Sequence, residues 1–471
     1  MKRGSLLFGL LVFSSVAGAE DLLAVYDIAL QNDPQIREAD ANRLASRESR
    51  PQAIANLLPQ INGSAARSRT WSDGTGTSGF IINNQVTTNI TGGRGVTDTD
   101  SWRLDIRQNL FSYANWATLR AASHQVAQAE ADYLTQRQLL AQRVANQYFA
   151  VLNAQDNVSA QEAARDAFSR QLDQAEKRFE VGLIAITDVQ EQRAARDQAA
   201  AAVIAAKRTL ASAQETLRAT TGMKYDVLNS PSDTMPLLAP EPASEEDWVR
   251  ISMEQNSALT SSRLAADIAR DTVHATFGGH LPTLDLVAGR TYTDSDGSRI
   301  IPPPVNSTTT QASELYGKSL SLQISVPIFS GGATQSRVRE SQYRWIAARE
   351  RLERVSRDTE RQARDAYLGV NSEIARVQAL KQAVESSETA LRATEAGYEV
   401  GTRTAVDVLD ARRLLVQAQT NYSQSRYAYL NTLVQLRLAS GDLDRNTIDE
   451  INKWLTTTTT AAPPTPPPAT P

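Results

Sequence analysis

The chain repeats itself, and this duplication constrains its fold more than any other feature of the sequence. The segment from Phe179 to Val189 (FEVGLIAITDV) recurs 219 residues later as the segment from Tyr398 to Val408 (YEVGTRTAVDV). The ends LRxxxG at Leu217 and Leu436 keep the same offset, and Leu-Pro pairs begin the strands of both copies. Self-similarity at one offset indicates two copies of one structural unit. The sequence therefore predicts two tandem repeats, at 20–222 and 246–441, joined by a proline-rich connector at 223–245.

Each repeat contains amphipathic segments with a period of two. Between Trp102 and Leu110, and again between Leu320 and Ile328, apolar residues alternate with polar ones, as in a strand with one apolar face. We expect strands at about 58–71, 101–111, 281–292 and 319–329. The Gly-, Ser-, Thr- and Asn-rich segments 72–100 and 293–318 are predicted to be long loops joining them. A strand half-buried on a soluble core would alternate in the same way.

Aromatic residues mark both ends of these strands. Near the predicted loops lie Trp71, Trp102, Tyr292 and Tyr316, and near the opposite ends lie Phe111, Tyr113, Trp116 and Phe329. Two such groups would suit the two interfaces of a membrane, although single aromatic residues at strand ends are also ordinary packing residues.

Long helices follow the strands in both copies. Leu119, Val126, Tyr133 and Leu140 recur every seven residues, which is a coiled-coil register. The sequence predicts long helices at about 115–180 and 335–399, each roughly 100 Å long at about 1.5 Å per residue. Helices of this length do not fit a compact domain.

The N-terminus predicts export from the cytoplasm. Residues 1–19 combine basic residues, a short apolar stretch and Ala-Gly-Ala, as in a cleavable signal peptide. No later stretch is long and apolar enough for a transmembrane helix. The chain has no cysteine, so it offers neither a disulfide framework nor a lipidation site.

Little in the sequence indicates catalysis or nucleic-acid binding. A net charge of −4 gives no reason to expect nucleic acid as a partner. The three histidines lack metal-site spacing, and no phosphate-binding or nucleophile motif is present. We therefore expect no enzyme activity, no cofactor and no metal. Residues 442–455 form a C-terminal segment, and the Thr- and Pro-rich residues 456–471 are predicted to be a disordered tail.

The duplicated VGxxxxxDV motif, the Leu-Pro strand starts and the LRxxxG ends resemble the TolC family of outer-membrane efflux proteins over roughly residues 22–445. The resemblance implies a mixed α+β membrane protein that forms a homotrimer. In the family, a 12-stranded β-barrel stands in the outer-membrane lipid of a Gram-negative cell and continues as a 12-helix periplasmic tunnel, with the segment 442–455 at its equator. The duct is passive, and it serves type I protein secretion, tripartite drug efflux or both. It opens when a periplasmic adaptor and an inner-membrane ABC, RND or MFS pump recruit it.

The resemblance also implies a gate at the periplasmic end of the tunnel. Its closing latch maps onto Tyr398 and Arg403 with Thr187 and Asp188, and its selectivity ring maps onto Asp407 and Asp410.

Two observations leave this gate open to another interpretation. Thr187-x-x-Gln190 is also a capping-box pattern, and Asp188 and Asp407 both suit the first turn of a helix. At Lys177 the sequence departs from the family's glutamine, and a lysine there could pair with a nearby acid or weaken the latch.

A different class of protein also fits part of the pattern. A secreted trimeric coiled-coil protein, structural or adhesive, would share the heptads and the signal. It would not need two amphipathic hairpins placed between helices.

Overall fold

The computed structural model describes residues 20–82, 85–225, 227–232, 235–301 and 307–456. The predicted signal peptide and the tail beyond Thr456 lie outside this part of the chain. Within it, no helix is both long enough and apolar enough to cross a membrane.

Each repeat runs from short helices through a strand hairpin to a very long helix and a shorter one. The first comprises α1 Leu22–Asn32, α2 Pro34–Arg47, α3 Ser49–Ala55, β1 Gln60–Ile82, β2 Gln85–Phe111, α4 Tyr113–Glu180 and α5 Ile186–Thr221. After β3 Ser230–Pro231 come α6 Glu245–Gln255, α7 Ser257–Phe277, a 3₁₀ turn, β4 Thr283–Ile301, β5 Ser307–Ser325, α8 Ala333–Glu399 and α9 Ala405–Ser440. The described chain ends with α10 Arg445–Asn452 and β6 Leu455–Thr456.

The strands are much longer than the sequence predicted. β1 and β2 pair without a break in register from Gln60↔Arg107 to Ile82↔Gln85, so most of the predicted loop 72–100 is a hairpin. The predicted loop 293–318 is likewise paired up to Ile301↔Ser307, and β5 ends at Ser325, short of the predicted 329. Glycine and serine suggest loops, but antiparallel pairing satisfies backbone donors and acceptors whatever the side chains are.

The four long strands form one antiparallel sheet in the order β1-β2-β4-β5. Its register places apolar side chains in rows on one face: Ile61 is opposite Ile106, Ile106 opposite Ala288, and Ala288 opposite Leu320. Ile61, Ile106 and Leu320 are solvent-exposed, Leu320 by 76%, and Ala288 is half-buried. Because side chains alternate along a strand, residues such as Arg103 and Ser321 lie on the other, polar face. Both faces are therefore as the alternation predicted.

The chain divides into two compact units. One contains Leu44–Ala129 and Ser262–Arg351, and hence the four-stranded sheet. The other is formed by the described residues of Met1–Arg43, Glu130–Ser261 and Leu352–Pro471.

The helical unit has the larger core, which includes the fully buried Tyr26, Phe149 and Tyr429. The equivalent tyrosines Tyr148 and Tyr367 of the two repeats play matching parts. The hydroxyl of Tyr148 donates to the carbonyl of Asn229 at 2.7 Å, and that of Tyr367 donates to Ala243 at 2.8 Å. Both tyrosines thus fasten the connector 223–245 to a long helix.

Candidate functional site

The two long helices end in the same turn. After α4, Gly182 has φ +74, and after α8, Gly401 has φ +78. Each is the left-handed residue that closes a helix, a conformation strained for any residue with a Cβ. The backbone N–H of Leu183 bonds to the carbonyl of Arg178, and that of Thr402 to Gly397, at 2.9 and 2.8 Å. The duplicated VG dipeptide therefore builds two equivalent helical hairpins.

The next helices begin differently in the two copies. At α9, Thr404 is the N-cap: its hydroxyl accepts from the N–H of Asp407, and the Asp407 carboxylate accepts from the N–H of Thr404 at 2.8 Å. This is a complete capping box. At α5 the N-cap is Ala185, whose side chain cannot accept a hydrogen bond, and no side-chain cap forms.

The capping box suggested for Thr187 and Gln190 is therefore wrong. Thr187 lies inside the helix, two residues after the N-cap Ala185, so its hydroxyl is not at the capping position. The Thr187 hydroxyl lies instead 3.5 Å from a carboxylate oxygen of Asp188. Both Asp188 and Asp407 suited a capping role from the sequence. In the structure Asp407 forms part of a cap and Asp188 does not.

A cleft of about 300 Å³ lies between the two helical hairpins, and two of the four predicted latch residues line it: Asp188 and Tyr398. The Arg178 guanidinium lies over the Tyr398 ring, 5.2 Å from its centroid, in cation–π geometry. No hydrogen bond joins Asp188 to Tyr398 in the described chain. The structure therefore places these residues together without closing a direct bond between them.

Arg403 and Asp410 lie apart from this cleft. Among the residues the structure describes, the Arg403 guanidinium forms no hydrogen bond or ion pair, although its charge acts on Asp407. The carboxylate of Asp410 is exposed and lies 3.4 Å from Arg413 on the same helix.

The charge of Asp407 is stabilised by the turn itself. Hydrogen bonds from the Thr404 backbone and hydroxyl, and more weakly the charge of Arg403, hold the pKa of Asp407 below its usual value. Its carboxylate is thus ionised at neutral pH and occupied by the cap. Lys177 pairs with Asp173 one turn earlier on α4, at 2.8 Å, so its charge has a partner on its own helix.

Sequence reasoning missed a second duplicated contact. Glu176 of α4 pairs with Arg193 of α5 at 2.8 Å, and Glu395 of α8 pairs with Arg412 of α9. Glu395 and Arg412 follow Glu176 and Arg193 at the same 219-residue offset, so the sequence spacing could have predicted this pair of contacts. Each ion pair joins the two helices of a hairpin close to the turn. The Arg178–Tyr398 contact had no such signal because it joins the two repeats.

Comparison with known proteins agrees with the duplication. A family model described as outer membrane efflux protein matches residues 25–223 and 248–442, one match in each repeat. Outer membrane protein TolC of Vibrio cholerae is 35% identical over 443 residues, 94% of this chain and 95% of that protein. The alkaline protease secretion protein AprF of Pseudomonas aeruginosa is 31% identical over 454 residues, 94% of this chain and 89% of that protein.

The fold is also that of a solved channel. The CusC structure superposes with a TM-score of 0.73 at 18% identity, covering 90% of this chain and 92% of that one. The family predicted from the motifs is confirmed, and nothing supports the alternative of a structural or adhesive stalk. The chain therefore belongs to the outer membrane efflux protein family, and it is a channel protein of the outer membrane and not an enzyme.

Proposed function

We propose that the mature protein, beginning near Glu20, is a homotrimeric duct for type I protein secretion, tripartite drug efflux or both. The observation that carries this proposal is the four-stranded sheet, which has one exposed apolar face and two outer strands, β1 and β5. Each outer strand pairs on one side only within the described chain. Transmembrane barrels have at least about eight strands. Three copies of this sheet would supply twelve.

The helices support the same assembly. Each chain contributes four long helices, α4, α5, α8 and α9, so three chains would supply the twelve of a periplasmic tunnel. The duct has no energy source of its own. A periplasmic adaptor and an inner-membrane pump of the ABC, RND or MFS class would recruit and open it. The similarity to TolC and to a protease secretion protein supports secretion as one of its uses.

The turns of the helical hairpins form the gate in this proposal. Asp188 and Tyr398 latch the hairpins of one chain, with Arg178 stacked on Tyr398 as an additional contact. Arg403, which finds no partner among the described residues of its own chain, contributes by pairing with a neighbouring subunit near Thr187 and Asp188. Asp407 and Asp410, three residues apart on α9, supply six carboxylates in three chains. Such a ring favours cations in the pore.

Planar-bilayer recording of the purified protein tests the duct and its gate together. The wild type is expected to give small, stable, cation-selective openings. Tyr398→Phe with Arg403→Glu should raise the single-channel conductance severalfold by loosening the closed end. Asp407→Ala with Asp410→Ala should lower cation selectivity and relieve block by multivalent cations.

A matched control removes two carboxylates elsewhere on the helices: Asp358→Ala with Asp365→Ala changes the charge equally and should leave selectivity unaltered. A ring variant with the wild-type reversal potential would overturn the ring assignment. Unchanged conductance in the latch variant would overturn the latch. A folded trimer that forms no channels would overturn the duct itself.

A further inference from the structure

Two cations stand side by side on the apolar face of the sheet. Arg290 of β4 and Lys318 of β5 are direct cross-strand partners, and both side chains are exposed. Neither forms an ion pair within the described part of the chain. Like charges directly opposite each other are unfavourable in a sheet, and cations on a lipid-facing surface add to that cost. This arrangement therefore calls for an anion from outside the chain.

The aromatic row beside these cations fixes their depth in the membrane. One step nearer the hairpin tips lie Trp102, Tyr292 and Tyr316, cross-strand neighbours with ring centroids 6.2 and 4.9 Å apart. The Arg290 guanidinium reaches toward this row and lies 5.7 Å from the centre of the Trp102 ring. Arginine side chains extend in this way from apolar surface toward the polar boundary of a bilayer.

The topology of the chain indicates which leaflet of the membrane surrounds these cations, provided that the proposed function holds. β2 ends at Phe111 and α4 begins at Tyr113, so the helices leave the sheet at the end opposite the hairpin tips. If the helices lie in the periplasm, the aromatic row lies at the outer interface of the membrane. The apolar side chains Ile106, Leu320 and Leu322 then face acyl chains below it.

We propose that Arg290 and Lys318 bind the phosphate monoester of a phosphorylated diglucosamine lipid, lipid A, in the outer leaflet. Guanidinium and ammonium groups together match a phosphate that carries between one and two charges. The tyrosine and tryptophan rings offer flat surfaces to the adjoining sugar.

Carboxylates limit the position of the phosphate on the outward side. Asp100, Asp294 and Glu314 form the next row toward the tips, and the hydroxyls of Tyr292 and Tyr316 already donate to Glu314. Repulsion from this row confines the phosphate to the membrane side of the aromatic rings. The site therefore takes a single phosphate at the level of the two cations.

The test is native mass spectrometry of the purified full-length protein titrated with diphosphoryl lipid A in phosphatidylcholine nanodiscs. Arg290→Gln with Lys318→Gln should weaken lipid A binding about tenfold. This is the loss expected when two charge-assisted contacts to the phosphate are removed and water replaces them in part. The control, Arg103→Gln with Arg299→Gln, removes two cations from the opposite face of β2 and β4 and should bind as the wild type does.

Three further ligands distinguish the source of the phosphate. Dephosphorylated lipid A, phosphatidylglycerol and millimolar inorganic phosphate should each bind or compete at least about tenfold more weakly. Equal binding by any of them would overturn the assignment, as would equal lipid A binding by the wild type and the Arg290/Lys318 variant.

Conductance separates this inference from the proposed function. In phosphatidylcholine bilayers, which contain no phosphate monoester, the Arg290/Lys318 variant should form channels like those of the wild type. If the Arg290/Lys318 variant forms normal channels and still binds lipid A as the wild type does, the lipid site is wrong and the proposed duct is unaffected. Absence of channels in the wild type would sink the duct.

Discussion

The helices that follow the two turns, α5 and α9, are capped differently because one residue differs between them. Ala185 and Thr404 occupy equivalent positions with similar extended backbones, φ −77 and −92. Only Thr404 has a hydroxyl to accept the N–H of the aspartate three residues on. The two repeats therefore form a natural pair in which one has a capping box and the other has its Asp188 unused for capping.

A reciprocal exchange tests this difference. Thr404→Ala should lower hydrogen-exchange protection in the first turn of α9 by about fivefold, the effect of losing roughly 1 kcal/mol of cap. Ala185→Thr should raise protection at the start of α5 by a similar factor. By drawing Asp188 into a cap, it should also raise single-channel conductance.

The control for this pair is Thr187→Ala, which removes a hydroxyl that caps nothing and should leave protection at the α5 start as it is. Ala185→Thr that protects α5 without altering conductance would show that Asp188 has no part in the latch.

The cap of α9 should depend on pH in a definite direction. Because the pKa of Asp407 in the folded protein is held below its usual value, the cap contributes fully above the unfolded-state pKa. Its contribution is lost as the pH falls through the folded-state pKa. The protection difference between wild type and Thr404→Ala should therefore be constant near neutral pH and shrink in acid.

At the scale of elements, a buried carboxylate joins α4 to α7 in the unit that contains the sheet. Asp271 is 1% exposed, and the Nδ1 of His124 lies 3.0 Å from one of its carboxylate oxygens. No hydrogen bond to either carboxylate oxygen is found in the described chain. A buried charge that loses its partner is costly.

We therefore expect His124→Leu to lower the free energy of unfolding by about 3 kcal/mol. The double variant with Asp271→Leu should recover most of this loss because no buried charge remains. Thermal unfolding of the purified protein, followed by circular dichroism, measures both. His280→Leu, at an exposed position in the 3₁₀ turn before β4, is the control. Equal stability of the single and double variants would contradict the coupling.

At the scale of the whole molecule, we expect the outer strands β1 and β5 to pair between copies of the chain in the proposed trimer. The chain lacks cysteine, so introduced cysteines report on assembly without background. Each test variant carries one cysteine on β1 and one on β5. The β1 cysteine is Ser64→Cys or Ser68→Cys, and the β5 cysteine is Ser319→Cys or Ser321→Cys. Oxidation should link the chains of such a variant into a covalent trimer on denaturing gels.

The control places both cysteines on the adjacent strands β2 and β4, at Arg103 and Thr291, which face each other within one chain. This pair should form a disulfide without linking chains. Covalent dimers in place of trimers, or no cross-link from any β1–β5 pair, would contradict a shared twelve-stranded barrel.

The sequence by itself determined what depends on neighbours along the chain. The repeats, the ends of the long helices at Gly182 and Gly401 and the alternation of the strands all follow from local periodicity and backbone preference. The family followed from those same motifs.

Only the tertiary structure decided what depends on residues far apart in the chain. The strands continue through 72–100 and 293–318 because a partner strand satisfies each backbone group, which composition cannot reveal. Asp407 takes part in the cap of α9 and Asp188 does not, because the residue three positions earlier differs. Asp188 instead lines a cleft together with Tyr398 of the second repeat. The contact of Arg178 with Tyr398 arises from packing between the two repeats. The pairing of Arg290 with Lys318 arises from the register between two strands. Local sequence patterns predict neither contact.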